Sequence, residues 1–279
     1  MIATAAFALL VAGGPAKQPE IRWVRQFDAA LKRAQTVKKP LLVDFWAEWC
    51  GWCHRLDQTT YVDPVVVKMS EDFVPVKVNT EGTPREVAVS RRYEVSSLPT
   101  IAFLSPQGRL ILRLNGFQGP GQFPRAIEVA KERAVKIIEW ETALERDSKD
   151  AEALASMGAH LFEQEVYEES RDFLARAVKA DKERPADERK RTRMLLGIVH
   201  KYNHKNSDAE AVLKEGLALQ PPSEYDPKIL YVLGRLYAGW GKYDEARKVL
   251  NQVLSLYAQS PVADKARETL VALDHKNPN

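Results

Sequence analysis

The chain has 279 residues, of which 45% are hydrophobic and 28% charged, and its formal net charge is +3. That length accommodates two domains and a sizeable core, and a charge this close to balance gives no footprint for nucleic acid. Its two cysteines exclude a disulfide framework and leave either one reversible disulfide or half of a metal site.

In chain order, the first twelve residues, MIATAAFALLVA, are almost wholly apolar and are followed by Gly13, Gly14, Pro15 and Ala16. This stretch matches the apolar core and small-residue cleavage site of a secretory signal peptide. It is too short to span a bilayer, which takes about 20 apolar residues. Its n-region has no Lys or Arg, so the competing reading is an unstructured or mis-started N-terminus on a cytoplasmic protein. No later stretch is apolar enough to cross a membrane. Ile21 to Val24 alternates weakly and reads as a short edge strand. Phe27, Ala30, Leu31 and Ala34 stand at helical spacing, and Lys38-Lys39-Pro40 ends that helix.

Leu41 to Trp46 (LLVDFW) reads as a buried strand, and its continuous apolar character suggests a central strand covered on both faces. Asp44 is the exception, because a carboxylate there is costly to ionise without a partner. It is either a strand-end acid that sees water or a buried proton acceptor, and the cysteines six residues on favour the second. Cys50-Gly51-Trp52-Cys53 follows, at the start of a helix that runs to about Thr59. A strand feeding a C-x-x-C at a helix start points to redox chemistry. The trailing His54 also fits the haem-attachment pattern C-x-x-C-H. A closed zinc site wants four ligands, and no second Cys or His pair stands at short spacing.

Asp63-Pro64 can start another helix, since Asp caps and Pro suits the first turn. Phe73 to Val78 alternates as a strand whose Pro75 marks an edge or a bulge. Thr83 to Tyr93 reads as a short helix. Thr100 to Leu104 and Arg109 to Leu114 form a hairpin around Ser105-Pro106-Gln107-Gly108. A glycine-rich loop, Gly116 to Gly121, leads to a helix from Phe123 to Trp140. Together these elements predict an α/β domain, a mixed sheet with helices on both faces.

Residues 42 to 51, LVDFWAEWCG, resemble the thioredoxin signature almost letter for letter. Leu98-Pro99-Thr100 resembles the segment that carries the family's cis-proline, and Gly116 sits where thioredoxins keep a glycine. The resemblance covers about Ile21 to Val135. The longer spacing after the motif looks like the thioredoxin-like domains of exported bacterial thiol–disulfide proteins, which implies a periplasmic location. The chain departs from thioredoxin in Gly51-Trp52 between the cysteines, in His54 for Lys, and in Leu98 for Ile. These departures bear on redox potential and the direction of electron flow, not on the fold. The α/β setting also argues against haem, leaving no cofactor and no metal in the reading.

The resemblance implies that Cys50 and Cys53 are a redox-active disulfide. Cys50, at the helix N-terminus, is the nucleophile, because unpaired N–H groups and the helix dipole lower a thiol pKa below about 8.5. Cys53, expected to be the more buried, resolves the mixed disulfide, and Asp44 takes its proton. Pro99, in a cis bond, brings the Leu98 backbone to face Cys50. Trp49, Gly51, Trp52, Leu98 and Pro99 form a substrate rim, with core packing an equal reading for Trp49. His54 either adds positive charge near Cys50 below about pH 6.5 or is a solvated helix residue.

From Asp150 the composition turns helical and charged. Met157-Gly158, Leu196-Gly197 and Leu233-Gly234 recur at spacings of 39 and 37 residues (158 to 197, 197 to 234). Ser170, Ala209 and Ala246 follow, then Leu174, Leu213 and Leu250, with Tyr167, Asn206 and Tyr243 aligned. This resembles the tetratricopeptide repeat, whose period is about 34. The third copy is the clearest; in the second, His200 and Asn206 occupy positions that usually take large apolar or aromatic residues. Val262 to Leu273 would cap the stack with a polar outer face. The stretch Arg184 to Arg193, charged with both signs, reads as a solvated loop and helix start.

The expected organisation is a signal peptide or short N-terminal segment at 1–18, a thioredoxin-like domain at 19–138, a helical linker at 139–149 and repeats with a capping helix at 150–274. The function implied is thiol–disulfide exchange on protein substrates, most simply reduction, with a thiol protein as electron donor or acceptor and a protein or peptide partner on the repeats. The alternative is an adaptor, in which the repeats do the work and the thioredoxin-like domain is a scaffold.

Overall fold

The computed structural model describes residues 20–276, so the apolar N-terminal segment lies outside the described residues. Contacts divide the described residues into two compact units, one holding residues 20–109 with 113–131, the other 110–112 and 132–276. No helix among the described residues is long and apolar enough to cross a membrane.

The first unit is built on a mixed four-stranded sheet. After helix α1 (Phe27–Val37) come β1 (Leu41–Trp46), α2 (Gly51–Thr59), α3 (Pro64–Ser70), β2 (Val74–Asn79), α4 (Pro84–Arg92), β3 (Thr100–Leu104) and β4 (Leu110–Asn115). The strand order is β2-β1-β3-β4. β1 pairs parallel with β2 and antiparallel with β3, and its first five residues are buried. It is therefore the central strand that its continuous apolar run implies. Pro75 is accommodated because β2 is an edge strand.

The segment at 21–24 is not the edge strand its alternation suggests. Only Val24 bridges to β2, donating to Pro75 O at 2.8 Å, while Trp23 N turns back to Ile21 O. That turn stops the segment from continuing as an extended ladder. Asp63 caps α3 by accepting from Val65 N and Val66 N, and Thr83 and Glu86 form a capping box at α4. Gly108 and Gly116 sit at φ +78° and +84°, a region that glycine enters without strain.

A long helix, α5 (Phe123–Arg146), contains the boundary between the units. The second unit then pairs α6 (Ala151–Glu163) with α7 (Tyr167–Ala180), α8 (Ala186–Tyr202) with α9 (Asn206–Ala218), and α10 (Tyr225–Gly239) with α11 (Tyr243–Leu256); α12 (Ala263–Lys276) follows. The recurring glycines explain the pairing. A Cβ added at Gly158, Gly197 or Gly234 would lie 2.5–2.7 Å from Leu174, Leu213 or Leu250 respectively. Each leucine packs directly on the backbone of the preceding helix, a contact that no larger residue permits. Tyr167, Asn206 and Tyr243 each begin the second helix of a pair, and Ser170 Oγ donates to Gly158 O at 2.8 Å. His200 is half-buried, and burial lowers its pKa, so a neutral imidazole fills the position that usually takes an apolar side chain.

The charged stretch 184–193 is the loop and helix start its sequence suggests, α8 beginning at Ala186, but it is not solvated throughout. Lys190 is fully buried; its Nζ donates to Asp226 Oδ1 at 2.5 Å and Pro221 O at 3.0 Å. Arg193 is buried too, and the Arg184 guanidinium contacts Glu152, Asp181 and Glu188. Charge in the sequence conceals burial here because the partner of Lys190, Asp226, lies 36 residues along the chain, as Glu152 lies 32 residues before Arg184.

Candidate active site

β1 delivers the chain straight into the cysteine motif. Cys50 is the N-cap of α2, with extended backbone, and its Sγ accepts from Cys53 N at 3.1 Å. Cys50 and Cys53 are disulfide-bonded, their Cα atoms 5.2 Å apart. Both are buried, at 3% and 1% exposure, so Cys53 is not markedly the more enclosed. Gly51 begins α2, and a Cβ there would meet nothing within 4 Å; packing does not demand glycine.

Asp44 lies fully buried in the middle of β1. Lys77, its partner in the β1–β2 register, donates to Asp44 Oδ2 at 2.9 Å and to Asp57 Oδ1 of α2 at 2.5 Å. The rings of Trp23, Tyr61 and Trp46 lie 5.2, 5.4 and 5.7 Å from the ammonium, each within the range where a cation is attracted to a π face. Burial raises the Asp44 pKa, and Lys77 only partly opposes it. Burial disfavours the Lys77 ammonium as well, but Asp44 and Asp57 outweigh it and hold its pKa above the ordinary value. Tyr61 is pushed well above the usual phenol range by burial and by the Asp44 charge. Asp44 Oδ1 and the Tyr61 hydroxyl are both buried and make no hydrogen bond of ordinary length and angle, yet the two side chains lie close enough for each to shift the pKa of the other. A carboxyl group held this way takes up a proton more readily than one in water.

Trp49 and Trp52 are 67% and 62% exposed, which rules out core packing for Trp49. The Trp49 indole donates to Glu81 Oε1 at 2.8 Å. Trp52 packs on Phe117 with ring centroids 5.4 Å apart. The Leu98–Pro99 bond is cis, Leu98 is half-buried and Pro99 buried. Because Thr100 pairs with Phe45, these two residues lie at the end of β1 from which the chain runs to Cys50. Pro99 O accepts from Gly116 N at 2.8 Å, and Thr60 Oγ1 donates to Gln118 O at 2.7 Å. These bonds tie the Phe117 loop to both sides of the site. His54 is an exposed helix residue whose ring donates to Glu48 O.

Lys77, Asp57, Tyr61, Glu81 and Phe117 escaped the sequence reading. Lys77 had the only usable signal, a lone cation in the apolar alternation VPVKVN, but its partner depends on register. Among the described residues no group of three His, Cys, Asp or Glu is placed to hold a metal ion.

Residues 27–131 match the family model of the thioredoxin-like domain. The N-terminal unit is a thioredoxin-like domain. With its disulfide-bonded pair it is similar to the thiol:disulfide interchange proteins it matches. Residues 203–270 match the tetratricopeptide repeat model. The thiol:disulfide interchange protein DsbD of Vibrio vulnificus is 31% identical over 112 residues, covering 39% of this chain and 19% of that protein. DsbD of Escherichia coli is 34% identical over 91 residues, covering 32% and 16%. The chain thus spans less than a fifth of the length of either relative. A solution structure of a thioredoxin from Thermus thermophilus is 28% identical, with TM-score 0.38, covering 41% of this chain and 90% of that one.

Proposed function

We propose that this protein is an exported thiol–disulfide oxidoreductase that reduces disulfides in protein substrates and uses its repeats to hold a partner protein. The observation that carries the reading is the Cys50–Cys53 disulfide at the N-terminus of α2, in a domain whose central strand buries the ionisable Asp44. The resemblance to thioredoxin and the thiol:disulfide interchange proteins matched by this domain support it.

In the reducing direction the pair starts as a dithiol. The Cys50 thiolate, favoured by the free N–H groups and dipole of α2, attacks one sulfur of a substrate disulfide. A Cys50–substrate disulfide forms, and the second substrate sulfur leaves as a thiolate. Cys53 then loses its proton to Asp44, directly or through solvent, and attacks Cys50 Sγ. The internal disulfide forms, the first substrate sulfur departs as a thiolate that takes a proton from Asp44 or solvent, and two electrons have passed to the substrate. A dithiol donor protein, acting at the same pair, restores the reduced state. Trp49, Gly51, Trp52, Leu98 and Pro99 line the approach for an extended substrate segment.

The test is dithiothreitol-coupled reduction of insulin by the full chain and by Cys50→Ser. Loss of the catalysed rate in the variant is expected. Full retention would sink the enzyme reading and put the adaptor in its place. The reduction potential gives the direction: about −270 mV fits a reductant, whereas about −120 to −180 mV fits an oxidant or isomerase.

A further inference from the structure

In the second unit, α5, α6 and α8 line a half-open cavity of about 280 Å³ whose lining carries a net positive charge. Arg133, Lys136 and Trp140 line it from one face of α5, His160 and Glu163 from α6, and Arg191 from α8. Three permanent cations thus meet one carboxylate. Glu163 stands 3.9 Å from Arg191, both are exposed, and so loose a surface pair contributes little. Arg133 and Lys136 have no salt-bridge partner among the described residues. Burial lowers the His160 pKa, the Leu110 carbonyl to which its ring donates at 2.8 Å opposes that, and the Arg133 charge adds a smaller lowering that Glu163 counters. His160 therefore remains neutral and adds a polar ring, 6.3 Å from that of Trp140.

The size is at the small end for ligand cavities, which run from about 300 to 1,000 Å³; it admits a few side chains, not a large cofactor. The lining residues lie within helices whose N–H groups are committed to helical bonds, so there is no backbone cradle of the sort that holds phosphate. The cations come from two helices and are spread around an aromatic wall. That arrangement suits several carboxylates along a chain, each met by a guanidinium or ammonium, with an apolar side chain against Trp140.

We propose that this cavity docks an acidic peptide segment of a partner protein, with carboxylates at Arg133 and Lys136, a further one at Arg191, and an apolar side chain on Trp140. The proposal rests on the reading that the repeats hold a partner, and it names that partner's chemistry.

The experiment is fluorescence anisotropy on the full-length protein with three short fluorescein-labelled peptides that alternate Leu with Glu, Gln or Lys. The Glu peptide should bind at least about tenfold more tightly than the Gln peptide, the size of effect expected for charge-assisted hydrogen bonds. Arg133→Gln, Lys136→Gln and the exposed Arg191→Gln should each weaken it several-fold. Lys265→Gln, an exposed cation on α12, should leave it unchanged, and insulin reduction should be unaffected throughout. Equal binding of the Gln peptide, or equal loss in Lys265→Gln, overturns the proposal. So does displacement by inorganic phosphate at concentrations equal to the peptide, which would mark a small-anion site. Binding of the Lys or Gln peptide alone would overturn it while leaving the partner reading intact; failure of all three peptides would remove both.

Discussion

Lys77 stands opposite Asp44 in the parallel β1–β2 register and donates its ammonium to the buried carboxylate across 2.9 Å. The pair is part of a chain of charge, since the same ammonium reaches Asp57 on α2, the helix that carries both cysteines. Lys77→Met would leave Asp44 buried with no cation. Breaking a buried pair costs about 3–5 kcal/mol, and the partial exposure of Lys77 puts the expected loss at the lower end. Urea unfolding at neutral pH measures it. Because Lys77 opposes the rise in the Asp44 pKa, the variant should also shift the pH dependence of the resolving step to higher pH.

Asp44→Asn should act in the opposite sense on stability. The folded-state pKa of Asp44 is raised by burial above an unfolded value of about 3.9. The folded state therefore binds this proton more tightly. The stability this contributes is fully present below about pH 4 and is lost as pH rises through the raised pKa. At neutral pH the Asn variant should be more stable than the native chain by about 1–3 kcal/mol, the scale of an unsatisfied buried polar group. The gap should close toward pH 3. A gap that widens in acid would contradict the burial argument.

Trp52→Ala should leave stability within about 0.5 kcal/mol, as is usual for an exposed side chain. It should lower kcat/KM for insulin several-fold while sparing a small aromatic disulfide that needs no rim. Equal losses on both substrates would place Trp52 in the chemistry and not in substrate binding.

The repeat glycines make a graded set. Gly197→Ala and Gly234→Ala each force a methyl to 2.5 Å from a leucine, and overpacking of this kind costs about 1–3 kcal/mol. Gly239→Ala, at the end of α10 with nothing within 4 Å, should gain up to about 1 kcal/mol from helix propensity. Thermal unfolding followed by circular dichroism separates the two signs.

Asp226→Asn should destabilise the repeat unit by about 3–5 kcal/mol, because Lys190 would be left buried and unpaired. The double replacement Lys190→Met with Asp226→Leu should recover most of that loss. Chemical denaturation of both variants tests whether the pair is replaceable by apolar packing.

The sequence by itself determined the class of each half and most of the elements. Apolar continuity in LLVDFW identified the central strand, since a run without alternation has to be covered on both faces. Asp63-Pro64 marked the start of α3 through local capping. The Leu-Gly recurrence located the close helix pairs, because only glycine admits the leucine that follows it. These features are local or periodic, and chemistry of that kind is written along the chain. Where an apparent signal rested on a few residues, as in the alternation at 21–24, a single turn overrode it.

The burial of Asp44 was legible in its apolar strand, but tertiary structure alone decided that Lys190 is buried too and what compensates each of them. Lys77 meets Asp44 over 33 residues of sequence, and Lys190 meets Asp226 over 36. Phe117 reaches Trp52 only because a loop closes on Pro99 and Thr60. Composition makes a charged residue look solvated, and burial becomes affordable only when a partner arrives from elsewhere in the chain. Register and packing bring that partner, and neither has a local code.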